Sequence, residues 1–194
     1  MWCIQTIDAR YRERIYNVLD LYEEPHDQKK PLVCFDEKPK QLIGDKRMSI
    51  PMNLGSPEKY DYEYVRNGTA NIFMAVEFKA EKRATQVTER RTMENFATFI
   101  KMLVDEEYPD VEVARLVMDN LNTHKEKSFY KTFNKEKAER ILSKIEFHHT
   151  PTHASWLNAA EIEINVIDIE CTDRQINDKE TLTHEMAAWT KRKK

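Results

Sequence analysis

The chain has 194 residues, 34% charged and 40% hydrophobic, with only 3 Gly and a net charge of −3. That is enough apolar material for one domain core, and too ordered a composition for a disordered or fibrous chain. No apolar run reaches membrane-spanning length, no signal peptide opens the chain, and the total charge gives no basic signature for nucleic acid. Cys3, Cys34 and Cys171 are odd in number and lack CxxC spacing, which predicts reduced thiols in a cytosolic protein.

Ile7, Tyr11, Ile15, Val18, Leu19 and Tyr22 recur at helical spacing and predict an amphipathic helix over 7–24, stopped by Pro25. Leu32–Phe35 reads as a short buried strand ending at Asp36, and 38–58 as a long Pro- and Lys-bearing loop. YDYEYV and NIFMAVEF flank Arg66-Asn67-Gly68-Thr69 and predict a hairpin with Asn-Gly at its turn. Residues 84–90 add a strand. Thr92 and Asn95 open a helix that ends near Tyr108-Pro109.

Ala114–Met118 is a further short strand with Asp119 at its end. A helix over 126–145, a strand over 146–150, and helices over 158–172 and 179–189 complete the order. The pattern predicts an α/β domain, a mixed sheet covered by helices, with no repeat or interdomain linker.

Three acids from distant segments stand out. Asp36 and Asp119 each follow an apolar β-type run, where α/β sheets gather ligands, and Glu161 opens a helix. Such a trio is what a fold needs to hold divalent cations beside a phosphodiester, so the chain reads as a nuclease-like or phosphoryl-transfer domain. Glu37 is the rival to Asp36, but strand alternation sends it to the opposite face. Asn120 either orders the metal site or caps the turn.

At 100° per residue, Glu161, Asn165, Asp168 and Thr172 form a polar seam between apolar shoulders, Ile162, Val166 and Ile169 on one side and Ile164, Ile167 and Cys171 on the other. That reading buries the helix and leaves Glu163 as a surface acid. His148, His149 and His153 lack the spacing of a zinc site. His124 and His153 read as phosphate or leaving-group contacts or as ordinary loop histidines. Trp156 reads as a base-stacking ring or, beside Leu157, as core. No Gly-rich phosphate loop exists, which argues against an NTPase. Clustered cations, Lys29, Lys30, Lys38, Lys40, Lys46, Arg47 and the 191–194 tail, read as a solvated face or as local DNA contacts.

Through CFDEKPKQL, YDYEYVRNGTANIFM, VTERRT, LVMDNLNTH and HTPTHASWLNAAEIE the chain resembles the catalytic domain of DDE-type insertion-sequence transposases of the mariner-like superfamily, over nearly its whole length. The resemblance implies an RNase H-like mixed sheet flanked by helices on both faces. It implies two Mg²⁺ or Mn²⁺ ions held by Asp36, Asp119 and Glu161, with strand cleavage at element ends and strand transfer, usually into TA. Lys38, Lys40, His124, His153 and Trp156 become expected DNA contacts. Partners would be double-stranded DNA, at element ends and target, and a second copy of the chain in the synaptic complex, in a bacterial cytoplasm at the nucleoid.

Three departures accompany the resemblance. The helix-turn-helix modules usual in the family are not found before residue 7, so the expectation is a catalytic fragment, a truncated copy or half of a split product. Ala154 stands where the family usually has Gly (HASWLN against HGSWLN), and an Ala forced to positive φ would strain the loop by about 1 kcal/mol. Asp168 and Glu170 add negative charge after Glu161, which makes a decayed DNA-binding or assembly module an alternative. A general RNase H-like nuclease is another.

Overall fold

A computed structural model describes residues 8–59 and 61–193. Cys3, Ile7 and Lys194, which figured in the sequence expectations, lie outside the described residues. Helix α1 (Ala9–Glu23) is capped by the Asp8 carboxylate, which accepts the Tyr11 N–H at 2.7 Å. Its inward face ends on Val18 and Leu21, while Leu19 of the predicted stripe is exposed.

Strand β1 (Leu32–Asp45) runs far beyond the expected four residues. Its continuation pairs antiparallel with β2 (Tyr64–Glu77), Lys38 opposite Ile72 and Pro39 opposite Asn71. Pro39 is tolerated because β4 borders β1 only at Leu32–Cys34, so beyond that point one side of β1 is a free edge.

The Asn-Gly pair is not a hairpin turn. Ile43 faces Arg66 and Gln41 faces Thr69, so Asn67 and Gly68 together oppose Leu42 as a β-bulge, with Gly68 at φ +106°. The local preference for positive φ is satisfied either way. Ala70–Val76 is buried on both faces, which decides for the longer strand and a distant partner. The real β1–β2 connection is the 46–63 segment, narrowed by bridges Ile50–Lys59 and Asn53–Ser56. In it Lys46 and Arg47 pair with Asp61 and Glu63.

Strand β3 (Lys82–Thr88) flanks β2. Helix α2 (Met93–Met102) starts at Thr92, whose hydroxyl accepts the Asn95 N–H. Strand β4 (Ala114–Met118) follows. The helix predicted over 126–145 breaks into α3 (Lys127–Thr132) and α4 (Lys135–Leu142), because Asn134 accepts the Lys137 N–H and caps a new start. Strand β5 (Ile145–His149) precedes α5 (Ala160–Ile167), which runs into a π-helical turn to Thr172, and α6 (Lys179–Arg192) closes the described chain.

The sheet order is β3-β2-β1-β4-β5, the first three strands antiparallel and β1, β4 and β5 parallel. Alternation divides the core. Val33, Phe35, Phe73, Ala75, Leu116 and Met118 meet α2, α3 and α4 on one face. Cys34, Ile72, Met74, Val76 and Val117 meet α1, α5 and α6 on the other. Behind Asp36, Phe35 contacts Phe73, Phe96 and Phe99 at ring separations of 5.5–5.8 Å, each such pair contributing about 0.5–1.5 kcal/mol. Cys34 and Cys171 are buried free thiols. Among the described residues no helix is long and apolar enough to cross a membrane.

Candidate active site

Strands β1 and β4 are parallel, with Cys34 level with Val117. Two residues further along each strand, the same register sets Asp36 across from Asp119, on strands about 5 Å apart. Cys34 and Val117 share the α1/α5 face with Ala160, the first residue of α5, so Glu161 arrives above the same strand ends. Asp36 thus shares a face with Cys34, and Glu37 points into the opposite layer.

The three carboxylates sense one another. Burial, and then the charges of Asp119, Glu161 and Glu37, push the Asp36 carboxyl up to about 6, although it accepts the Glu37 N–H. Among the described residues no Lys or Arg pairs with Asp36, Asp119 or Glu161. One oxygen of Asp119 is turned toward His124, 2.6 Å from Nδ1. Accordingly, no three His, Cys, Asp or Glu side chains among the described residues are set to hold one ion as they lie.

The donor set nevertheless fits a hard divalent cation. It is all oxygen, concentrated at one end of the sheet, and a partly buried anion among anions is stabilised by a cation.

His124 is not a surface contact. It is fully buried, its ring 5.2 Å from Phe35 and 4.8 Å from Phe96. Burial alone would lower it, but bonding to Asp119 and Glu37 outweighs that and raises it to about 9. The ring lies between the two acids, with Nδ1 2.6 Å from Asp119 and Nε2 3.7 Å from Glu37. Its buried ring holds one oxygen of the Asp119 carboxylate by a hydrogen bond.

Lys38 and Lys40 are also committed within the fold. The Lys38 ammonium is bonded to the Asp168 carboxylate, which also accepts the Thr172 hydroxyl at 2.6 Å. Lys40 donates to the carbonyls of Thr172 and Arg174. Both hold the end of α5 to β1 and are not free cations, and the charge of Asp168 is offset internally.

Helix α5 departs from its expected orientation. Glu163 is buried and forked to Arg83 through Nε and a terminal nitrogen, whereas Ile162 and Ile169 are 62% and 82% exposed. The inward face is Ala160, Glu163, Ile167 and Cys171, because Arg83 on β3 supplies the partner that a lone glutamate lacks. Trp156, expected as core or as a stacking ring, is 65% exposed, while its neighbour Leu157 is buried. His153 is exposed and adopts φ +64°; Ala154 has φ −123° and packs in the core, so the Ala imposes no left-handed strain.

Two positioning residues escaped the sequence reading. Asn158 is buried, donates to the Phe35 carbonyl at 2.8 Å and accepts the Ala160 N–H, so it ties the start of α5 to the residue before Asp36. The Tyr22 hydroxyl donates to the Leu157 carbonyl at 2.8 Å and accepts the Ala159 N–H. A polar residue between Leu157 and Ala159 was the available signal for the first; nothing local pointed to the second.

A mixed sheet in this order, with helices on both faces, is an RNase H-like architecture, and here it carries acids at the ends of two adjacent parallel strands and on a later helix. The chain belongs to the DDE superfamily endonucleases, whose family model matches residues 31–183. The fold is similar to Mos1 mariner structures. These include a paired end complex with Mn (13% identity, TM-score 0.56, 98% of this chain and 58% of that one) and a pre-cleavage transpososome (12%, 0.58, 98% and 58%). A third is a strand transfer complex (12%, 0.56, 98% and 57%). The chain therefore spans somewhat more than half the length of those proteins. No curated protein matches its sequence.

Proposed function

We propose that the chain is the metal-dependent catalytic domain of a DNA transposase, cleaving duplex DNA at element ends and transferring the strand to a target, with TA the favoured site. The β1/β4 register that sets Asp36 across from Asp119 beneath Glu161 carries this reading. Asp36, Asp119 and Glu161 would hold Mg²⁺ or Mn²⁺, two ions when loaded. Such ions polarise a phosphoryl oxygen and lower the pKa of water.

The chain's own groups would prepare that chemistry. His124 holds one Asp119 oxygen and leaves the other for ligation. Asn158 and Tyr22 fix the height of α5, and hence of Glu161, above the sheet. Trp156 is exposed ahead of α5, where a ring can stack on an unpaired base, and His153 stands exposed beside it. Asn158→Ala is expected to weaken Mn²⁺ affinity about 10-fold or more in calorimetry, and to lower stability by about 1–3 kcal/mol.

The unconverged carboxylates favour a second reading, a decayed assembly module. Calorimetric titration with Mn²⁺ separates the two, since no binding at millimolar metal supports the module. A general RNase H-like nuclease would prefer an RNA–DNA hybrid to duplex DNA in the same cleavage assay. A dimeric working form is supported by Met48, Ile50, Met52 and Leu54, all exposed on the 46–59 ribbon. Met52→Asp with Leu54→Asp should shift sedimentation toward the monomer. On this reading the chain acts on DNA in the bacterial cytoplasm, at the nucleoid.

A further inference from the structure

With Lys38 and Lys40 tied to α5, the cations that would hold a DNA strand beside three carboxylates must come from elsewhere. Arg10 and Arg14 of α1 are one helical turn apart, a rise of about 6 Å. With Tyr11 they line a cavity of about 290 Å³ whose other walls include Asn120, Pro151 and Thr152. Asn120 directly follows Asp119, so the cavity opens beside the acidic site.

Among the described residues the two guanidinium groups are uncommitted. Arg83, Arg91, Arg115, Arg140, Arg174 and Arg192 each pair with a carboxylate. Arg10 and Arg14 make no such pair among the described residues. Asp8, the acid in the cavity wall, instead caps α1 through the Tyr11 N–H. Arg10 and Arg14 share this cavity with Asn120, the residue after Asp119, so positive charge stands next to the acids.

We propose that this cavity binds the phosphodiester backbone of the strand passing the acidic site, with Arg10 and Arg14 as the phosphate contacts. A guanidinium presents two parallel donors to phosphate oxygens, and the neutral groups of Tyr11, Asn120 and Thr152 add hydrogen-bonding capacity around them. The carboxylates alone would repel a polyanion, and the chain's net charge of −3 offers no general attraction. The inference rests on the DNA-cleaving reading above and assigns the path of the substrate.

The test is binding of a labelled duplex DNA of arbitrary sequence, followed by anisotropy across a salt series with Ca²⁺ replacing Mg²⁺. Arg10→Ala with Arg14→Ala should weaken binding about tenfold and flatten the slope of log affinity against log salt by about 1–2. Arg12→Ala, on the same helix but outside the cavity, should change little, and circular dichroism should show all variants folded. A double variant that binds as the parent does, or an equal loss in Arg12→Ala, overturns the assignment while leaving the nuclease reading standing. A parent chain that binds no duplex overturns both.

Discussion

Asp119→Asn is expected to fold like the parent and to lose about a thousandfold or more of Mg²⁺-dependent DNA cleavage. The amide keeps the size of the carboxylate and an oxygen that can still accept from His124, so the buried ring keeps its place between Asp119 and Glu37. It removes one formal charge of a three-acid set, and losing about 4 kcal/mol of transition-state stabilisation corresponds to a thousandfold rate loss. Cleavage time courses with thermal melting check both halves. Cleavage at the parent's rate would remove Asp119 from the chemistry, and a collapsed melting curve would show that its role is structural.

Two glutamates two residues apart on α5 should respond in opposite ways. Glu163→Ala leaves Arg83, largely buried, without its carboxylate, and breaking a buried ion pair from one side costs about 3–5 kcal/mol. For a chain of this length that lowers the melting temperature by about 10 °C. Mn²⁺ affinity at permissive temperature should change little, since Glu163 faces β3 and not the strand ends. Glu161→Gln, which breaks no ion pair, should leave melting nearly unchanged and abolish metal-dependent cleavage. Calorimetry and melting on both variants decide it, and loss of cleavage in Glu163→Ala alone would transfer the third ligand position to Glu163.

Strand β4 and helices α2 and α6 were legible because their signals are local: apolar runs, Thr92 at a cap, and apolar residues at helical spacing. Alternation likewise sends Asp36 and Glu37 to opposite faces in both sequence and structure. The Asn-Gly signal misled because a hairpin turn and a β-bulge both call for positive φ, and only the distant partner strand distinguishes them. The exposure of Ile162 and Ile169 on α5 was unreadable for a related reason. A helical wheel treats Glu163 as polar and therefore outward, but Arg83, 80 residues earlier on β3, makes it an inward residue.

By itself the sequence determined the mixed α/β class, most of the elements and three acids placed at element ends, since these depend on spacing and burial within short windows. Only the tertiary structure decided which charges remain uncommitted. It tied Lys38 and Lys40 to the end of α5, buried His124, and left Arg10 and Arg14 without a carboxylate partner among the described residues, in a cavity shared with Asn120. The physical reason is that a charged side chain is defined by its partner, and every one of these partnerships joins parts of the chain brought together by the sheet or the helices packed on it.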